Sequence, residues 1–258
     1  LIGKLEDLFS VKGKMAVVTG GGQGLGECLA KGLATYGAEV AVLDLNEELC
    51  QKTVEDIRNN GGKAINIKVD VSKKSEVSAA IEKVVNYFGR IDILVNNAGV
   101  VSRSSVLNLK EEDWDKVMDI NAKGTFLCCQ AAGEHMVKQR YGKIINIASV
   151  TSFRGIAERF VYATSKGAVA QITRALAVEW APYNIHVNAI APCYLDTPLT
   201  RPLYDKNSDF YKFIMSKTPL KRIAKPEELV GGLIYLASDA SDMVTGHILA
   251  IDGGWLAE

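Results

Sequence analysis

The chain has 258 residues, 48% apolar and 23% charged, with 30 basic side chains balanced by 30 acidic ones. That is enough for one large domain with a full core, and a zero formal charge excludes nucleic acid or an anionic membrane surface as the main partner. Five cysteines (Cys28, Cys50, Cys128, Cys129 and Cys193) without C-x-x-C spacing read as reduced thiols, and three scattered histidines exclude a histidine metal site. No apolar run reaches membrane-spanning length and no charged-then-apolar leader precedes the first apolar run, so a cytoplasmic location is expected. The sequence starts at Leu1 rather than Met, which leaves room for residues upstream.

Short β-rich runs alternate with longer helical patterns. A buried strand is predicted over 14–19 (KMAVVT), then a helix over 23–36 closed by Gly37, and a second strand over 39–43. Asn46 is placed to cap a helix running to about 59, which ends at Gly61 and Gly62. A strand at 64–69, a helix at 75–88 before Gly89 and a strand at 91–95 follow. A long helix is predicted from 111 to about 138, a strand at 143–148, a helix at 160–180 and a strand at 185–190. Pro226 opens a helix at its favoured first-turn position, and 248–251 is the last strand. Strands apolar on both faces with helices between them predict an α/β fold, a doubly wound parallel sheet of about seven strands with helices on both faces. No linker, repeat or low-complexity segment interrupts it, so residues 1–258 read as a single domain. The exception is 193–219, rich in Pro, Asp, Lys and aromatic residues, which reads as a substrate lid or else as a tolerated surface excursion.

Chemistry concentrates at the predicted carboxyl ends of strands. Gly20, Gly21, Gly22, Gln23, Gly24, Leu25 and Gly26 lie between the first strand and the first helix, where glycines allow close backbone approach to a pyrophosphate and the helix N-terminus offers free N–H groups. Asp44 ends the second strand 18 residues after Gly26. There a carboxylate accepts hydrogen bonds from both ribose hydroxyls and repels a 2′-phosphate, which favours NAD over NADP; the alternative is a strand-end aspartate capping the next turn. Asp70 and Val71 close the third strand and suit the adenine, and Asn96-Asn97-Ala98-Gly99 follows the fourth; read alone it is a good turn. Tyr162 and Lys166 are four apart on one predicted helix, with Ser149 thirteen residues upstream. A cation beside a phenol favours the phenolate, and a serine hydroxyl nearby can hold a carbonyl oxygen, a plausible engine for proton transfer in carbonyl reduction. By itself the pair is a spacing that occurs by chance on solvated helix faces.

Taken together and in order, the TGGGQGLG loop, Asp44, Asp70, NNAG, Asn121, Ser149, Tyr162, Lys166, the segment after Ala191 and the closing Asp252-Gly253-Gly254 resemble the short-chain dehydrogenase/reductase family over nearly the whole chain. The resemblance implies that Tyr162 is the acid/base, that Lys166 holds the nicotinamide ribose and lowers the tyrosine pKa, that Ser149 orients the carbonyl, and that Asn121 positions a water linking Lys166 to solvent. As a polar residue inside a predicted helix Asn121 is mildly unfavourable, a cost that a helix break carrying a functional amide explains. The resemblance also adds Leu45, Asn97, Ala98, Gly99, Tyr162, Lys166, Pro192, Leu195 and Thr197 to the cofactor-binding set. The family usually has Gly after Pro192; here Cys193 stands there, strained if the position needs positive φ, or else lining the substrate pocket.

The stretches APCYLDTPLTRPL, KPEELVGGLIYLASDASDMVTGH and IDGGWLA look most like the sugar-acid and polyol dehydrogenases of the gluconate 5-dehydrogenase and 2-deoxygluconate dehydrogenase type. The expected activity is NAD(H)-dependent interconversion of a secondary alcohol and a ketone on a hydroxylated small molecule. A sugar acid needs a cation, and Arg103, Arg154, Arg159 and Arg201 are the candidates, Arg154 and Arg103 foremost. Alternatives are reduction of an acyl thioester or apolar cyclic ketone, with a pocket of Cys193, Tyr194, Leu199, Phe210 and Phe213, and a non-catalytic dinucleotide-binding sensor. Apolar residues on more than one face of the helices from Glu111 and Phe160, with the family's habit, imply a homotetramer.

Overall fold

A computed structural model describes residues 5–198, 200–201 and 204–258. Seven parallel strands form one sheet in the order β3-β2-β1-β4-β5-β6-β7. They are β1 Met15–Thr19, β2 Glu39–Asp44, β3 Ala64–Lys68, β4 Ile93–Asn96, β5 Gly142–Ile147, β6 Ile185–Pro192 and β7 Ile248–Ile251. Helices α1 Gly24–Thr35, α2 Glu47–Asn59, α3 Lys74–Phe88, α4 Glu111–Met118, α5 Gly124–Gln139, α6 Phe160–Trp180, α7 Asp209–Lys217 and α8 Val230–Ala237 connect them. The order reverses between β1 and β4, so connections leave in opposite directions there and a crevice opens at the strands' carboxyl ends.

Strand residues alternate between two cores. Ala16, Val18, Val40, Val42, Ile93, Val95 and Ile145 pack against Leu29 and Leu33 of α1 and Leu233 and Leu236 of α8. Met15, Val17, Ala41, Leu43, Leu94 and Ile144 face Ile81 and Val84 of α3 and Cys128, Cys129 and Met136 of α5. Burial of both faces is why these strands read as continuous apolar runs. The cysteines are free, with Cys50, Cys128 and Cys129 buried as small core residues. Among the described residues, no helix is long and apolar enough to cross a membrane.

Local signals act as their chemistry dictates. The Asn46 side chain accepts a hydrogen bond from Leu49 N and starts α2, and α3 stops at Gly89, whose φ of 80° is left-handed. Three predicted elements differ. The long helix is two, α4 and α5, joined by a π-helical turn at Asp119–Lys123 that contains Asn121. Pro226 opens a 3₁₀ turn, Pro226–Leu229, that leads into α8. The 193–219 segment holds α7, which Ser208 caps by accepting from Tyr211 N at 3.1 Å.

Candidate active site

The loop after β1 owes its shape to two close approaches. A side chain on Gly26 would collide with the Gly20 carbonyl, and one on Gly20, at φ 62°, would press on Ala98 Cα at 2.8 Å. Buried Thr19 fastens this loop to the turn after β4: its Oγ1 accepts from Asn97 N and Ala98 N, each at 3.1 Å. Asn97 Nδ2 returns hydrogen bonds to Thr19 O (3.2 Å) and Gly20 O (3.0 Å). No side chain caps the N-terminus of α1, and its first residues Gly24, Leu25 and Gly26 line the crevice.

The crevice has a volume of about 940 Å³. Of the predicted cofactor residues, Gly20, Gln23, Gly24, Leu25, Gly26, Asp44, Leu45, Asp70, Val71, Asn97, Ala98, Gly99 and Thr197 line it. Gly22, Tyr162, Lys166, Pro192 and Leu195 do not. Gly22 works behind the wall, donating its N–H to Asp44 Oδ2 at 3.0 Å, while Asn46 N donates to Asp44 Oδ1 at 3.0 Å. Asp44 thus caps its turn and still faces the crevice; four lone-pair sites on a carboxylate allow both. Asp70 is turned toward Ser72, whose N–H and hydroxyl both donate to Oδ1 (3.0 and 2.7 Å). That hydroxyl holds the Asp70 carboxyl below its usual range. A crevice of this volume, lined by acids, glycine backbone and the start of α1, fits a dinucleotide.

Behind the Val100 wall of this crevice, and tied to it through Asn121, the predicted proton-transfer groups converge. Tyr162 and Lys166 sit on one face of α6, the ammonium 5.8 Å from the centre of the phenol ring. Ser149, at the end of β5, accepts from Thr151 N at 3.2 Å, which leaves its own O–H free to donate. Lys166 is buried and donates to Ile147 O at 2.6 Å. Burial lowers its pKa from 10.5 to about 8. Burial also raises Tyr162, against the sequence expectation that Lys166 lowers it; the groups that pull the phenol down are Ser149 and the Arg159 charge. The physical reason is that desolvation of the buried phenolate outweighs every group that favours it, and Lys166 is not among those groups.

Asn121 is fully buried in the π-helical turn. Its Oδ1 accepts from Val100 N at 2.8 Å, and its Nδ2 donates to Val100 O at 2.9 Å and Ser165 Oγ at 3.0 Å. Ser165 in turn donates to Tyr162 O at 2.7 Å. The amide therefore ties the turn after β4 to the first turn of α6, a service that sequence alone did not assign to it.

An aromatic cluster joins the 193–219 segment to the C-terminal turn, with Tyr194 near enough to Tyr162 to feel its charge. Tyr194 meets Phe210 and Trp255 edge-on at 5.5 and 5.4 Å between centres, and Phe213 meets Trp255 at 5.7 Å. Trp255 escaped the sequence reading, although its place after Asp252-Gly253-Gly254 was a signal. Leu199 lies outside the described residues. Cys193 has no positive φ, so the strain considered for it is absent. It packs with Tyr194 and Ile214 beside a small cavity of about 90 Å³, and burial pushes its thiol up to about 12, which makes it inert.

The four arginines separate. Arg103 and Arg159 lie over Phe210, their guanidinium carbons 5.1 and 5.8 Å from the ring centre. Arg154 is exposed and turned to the C-terminal segment, donating to Leu256 O at 3.2 Å, so the structure does not bring it to Tyr162. Arg201 pairs with Asp196 at 2.8 Å on the surface.

A family model described as "Enoyl-(Acyl carrier protein) reductase" matches residues 20–256. The chain is 41% identical over 252 residues to the 5-keto-D-gluconate 5-reductase of Escherichia coli K12, covering 98% of this chain and 99% of that protein. It is 42% identical over 250 residues to the 2-dehydro-3-deoxy-D-gluconate 5-dehydrogenase of Dickeya dadantii, covering 96% and 98%. A crystal structure of a gluconate 5-dehydrogenase from Burkholderia cenocepacia, in complex with NADP and tartrate, superposes with a TM-score of 0.94 at 39% identity over 98% of each chain. With a parallel seven-stranded sheet, a glycine loop under a dinucleotide-sized crevice and relatives matched over almost their full length, this chain belongs to the short-chain dehydrogenase/reductase family.

Proposed function

We propose that the protein is an NAD(H)-dependent oxidoreductase that interconverts a secondary alcohol and a ketone on a sugar acid. The observation that carries this is the meeting of Ser149, Tyr162 and Lys166, with Asn121 tying their helix to Val100 on the wall of a dinucleotide-sized crevice and with Arg159 near enough to act on the phenol. The nicotinamide, when bound, supplies or takes up the hydride. The chain's own residues do the rest. Ser149 offers its O–H to the substrate oxygen. Tyr162, kept protonated at neutral pH by burial, gives its proton to that oxygen in reduction and takes one back in oxidation. Lys166 would hold the nicotinamide ribose when the cofactor is bound, and its ammonium, 5.8 Å from the centre of the phenol ring and near half-protonation around pH 8, is the proton reserve beside Tyr162. Both amide hydrogens of Asn121 are engaged within the protein, so any water it holds in the relay rests on its acceptor oxygens.

The preference for NAD rests on charge. Asp44, Glu47, Glu48 and Asp70 line the adenosine half of the crevice, with Lys68 the one cation among the lining residues. A 2′-phosphate placed there meets net repulsion, although related proteins have been crystallised with NADP. For the substrate, Arg103 supplies the carboxylate partner. The 193–219 segment acts as a lid: Leu195 forms a bridge with Ala224, and α7 carries Phe210 over the chamber. We also infer a homotetramer, supported by exposed Phe126 on α5 and Phe160 and Val178 on α6; a light-scattering mass near the chain's own 27.9 kDa contradicts it. A second reading, reduction of an acyl thioester or apolar ketone, has the aromatic cluster in its favour.

The test is NAD- and NADP-linked turnover on gluconate, 2-deoxygluconate, several polyols, the matching ketones and an acetoacetyl thioester. Turnover of a sugar acid with NAD supports the reading. Activity confined to the thioester or apolar ketones replaces the substrate class, and a preference for NADP overturns the reading of Asp44.

A further inference from the structure

Arg159 precedes α6 and is only 8% exposed. Arginine is seldom buried without a carboxylate, because the guanidinium loses its hydration with nothing charged to replace it. Among the described residues the one acceptor its side chain finds is the Glu158 backbone oxygen, at 3.3 Å from Nη1. Arg103 adds a second positive charge rather than relief. Both guanidiniums lie over the same ring, Phe210, and among the described residues Arg103 has no ion pair. Burial and the Arg103 charge both push Arg159 below the ordinary arginine range.

The backbone holds this arrangement at a cost. Glu158 is non-glycine at φ 59°, the left-handed region. Ser104, next to Arg103, forms a parallel bridge with Arg159 and donates its N–H to Glu158 O at 3.3 Å. The two arginine-bearing loops are thus fastened together with their like charges adjacent. The Glu158 carboxylate is exposed and is the weakest influence on Arg159. Strained backbone, buried charge and like-charge proximity are all unfavourable by themselves, and one anion placed between the two forks relieves the last two.

We propose that Arg159 is a specificity-determining residue: with Arg103, against the face of Phe210, it completes a two-guanidinium clamp that seats the substrate carboxylate beside Tyr162. The inference rests on the sugar-acid reading above and names the residue that enforces it. A neutral polyol leaves both forks unpaired and is rejected, whereas a carboxylate accepts from both.

The experiment compares wild type, Arg159→Gln, Arg159→Lys and Arg103→Gln at saturating NAD, reading kcat and KM on D-gluconate and on the neutral polyol D-glucitol. NADH titration and circular dichroism check that each variant folds and holds cofactor. Arg159→Gln is expected to lose about 100-fold in kcat/KM on gluconate, mostly in KM, with a much smaller loss on glucitol, carried by kcat because the Arg159 charge also acts on Tyr162. Arg159→Lys is expected to fall between, since it keeps the charge and loses the fork. An equal loss on both substrates, or none on gluconate, overturns the clamp while the sugar-acid reading stands. A wild type that prefers glucitol to gluconate overturns the sugar-acid reading itself, and the clamp with it.

Discussion

Replacing Lys166 with methionine separates what the lysine does for catalysis from what it costs the fold. Its depression from 10.5 to about 8 corresponds, at about 1.4 kcal/mol per tenfold, to about 3 kcal/mol against folding when both states carry the charge. The hydrogen bond to Ile147 O offsets about 2 kcal/mol of this. Methionine fills the same channel without a charge, so Lys166→Met is expected to be about 1 kcal/mol more stable at pH 7 and to lose turnover. The sign with pH follows from proton counts. Above pH 8 the folded lysine is losing its proton while the unfolded one keeps it to 10.5, so the unfolded state binds more protons and wild-type stability rises with pH. Between pH 7 and 9.5 the wild type therefore gains about 2 kcal/mol on the variant, and the order of stability inverts. Urea unfolding of both proteins at equal concentration at the two pH values measures this. A difference that stays constant with pH would show that the lysine is not strained by burial, and the reasoning would fail.

Tyr162→Phe is expected to lower kcat by about 10³ with NADH affinity kept; unchanged turnover favours the sensor reading. Asp44→Asn should weaken NAD binding about tenfold and narrow the gap to NADP, read by fluorescence titration with both cofactors; an unaltered ratio places discrimination elsewhere. Cys193→Gly is expected to destabilise by about 1 kcal/mol, because no positive φ is relieved and a packed side chain is lost; a higher melting temperature would reveal strain.

The parts of the site legible in the sequence are those whose chemistry is local. The glycine loop, Asp44, the asparagine turn and the Tyr162–Lys166 spacing each depend on neighbours a few residues away, and the sheet follows from apolar runs at their spacing. What stayed hidden depends on tertiary position. Arg154 and Arg159 look alike on paper, but the 3₁₀ turn Val150–Ser152 lies between Ser149 and the exposed Arg154, while the left-handed Glu158 and the bridge to Ser104 hold Arg159 in the chamber. The pKa of Tyr162 went against the sequence argument for the same reason: how deeply the phenol is buried is set by the tertiary fold, and that burial outweighs the groups that favour the phenolate. Helix α7 was obscured by a mixed charged and aromatic composition, though its Ser208 cap was in view.

The π-helical turn couples enzyme chemistry to the phase of core packing. Val117, Asn121, Thr125 and Cys129 are all buried and advance by four residues each time. In a regular helix, twelve residues at about 100° each would leave Cys129 rotated about 120° from Val117. The wider turn at Asp119–Lys123 absorbs that rotation. Deleting Ala122 to regularise the helix would therefore do two things at once: swing Cys128, Ala132 and Met136 off the sheet, and withdraw the amide that holds Val100 and Ser165. Such an indel is barred by packing as well as by activity, so variation in this helix should proceed by substitution at constant length.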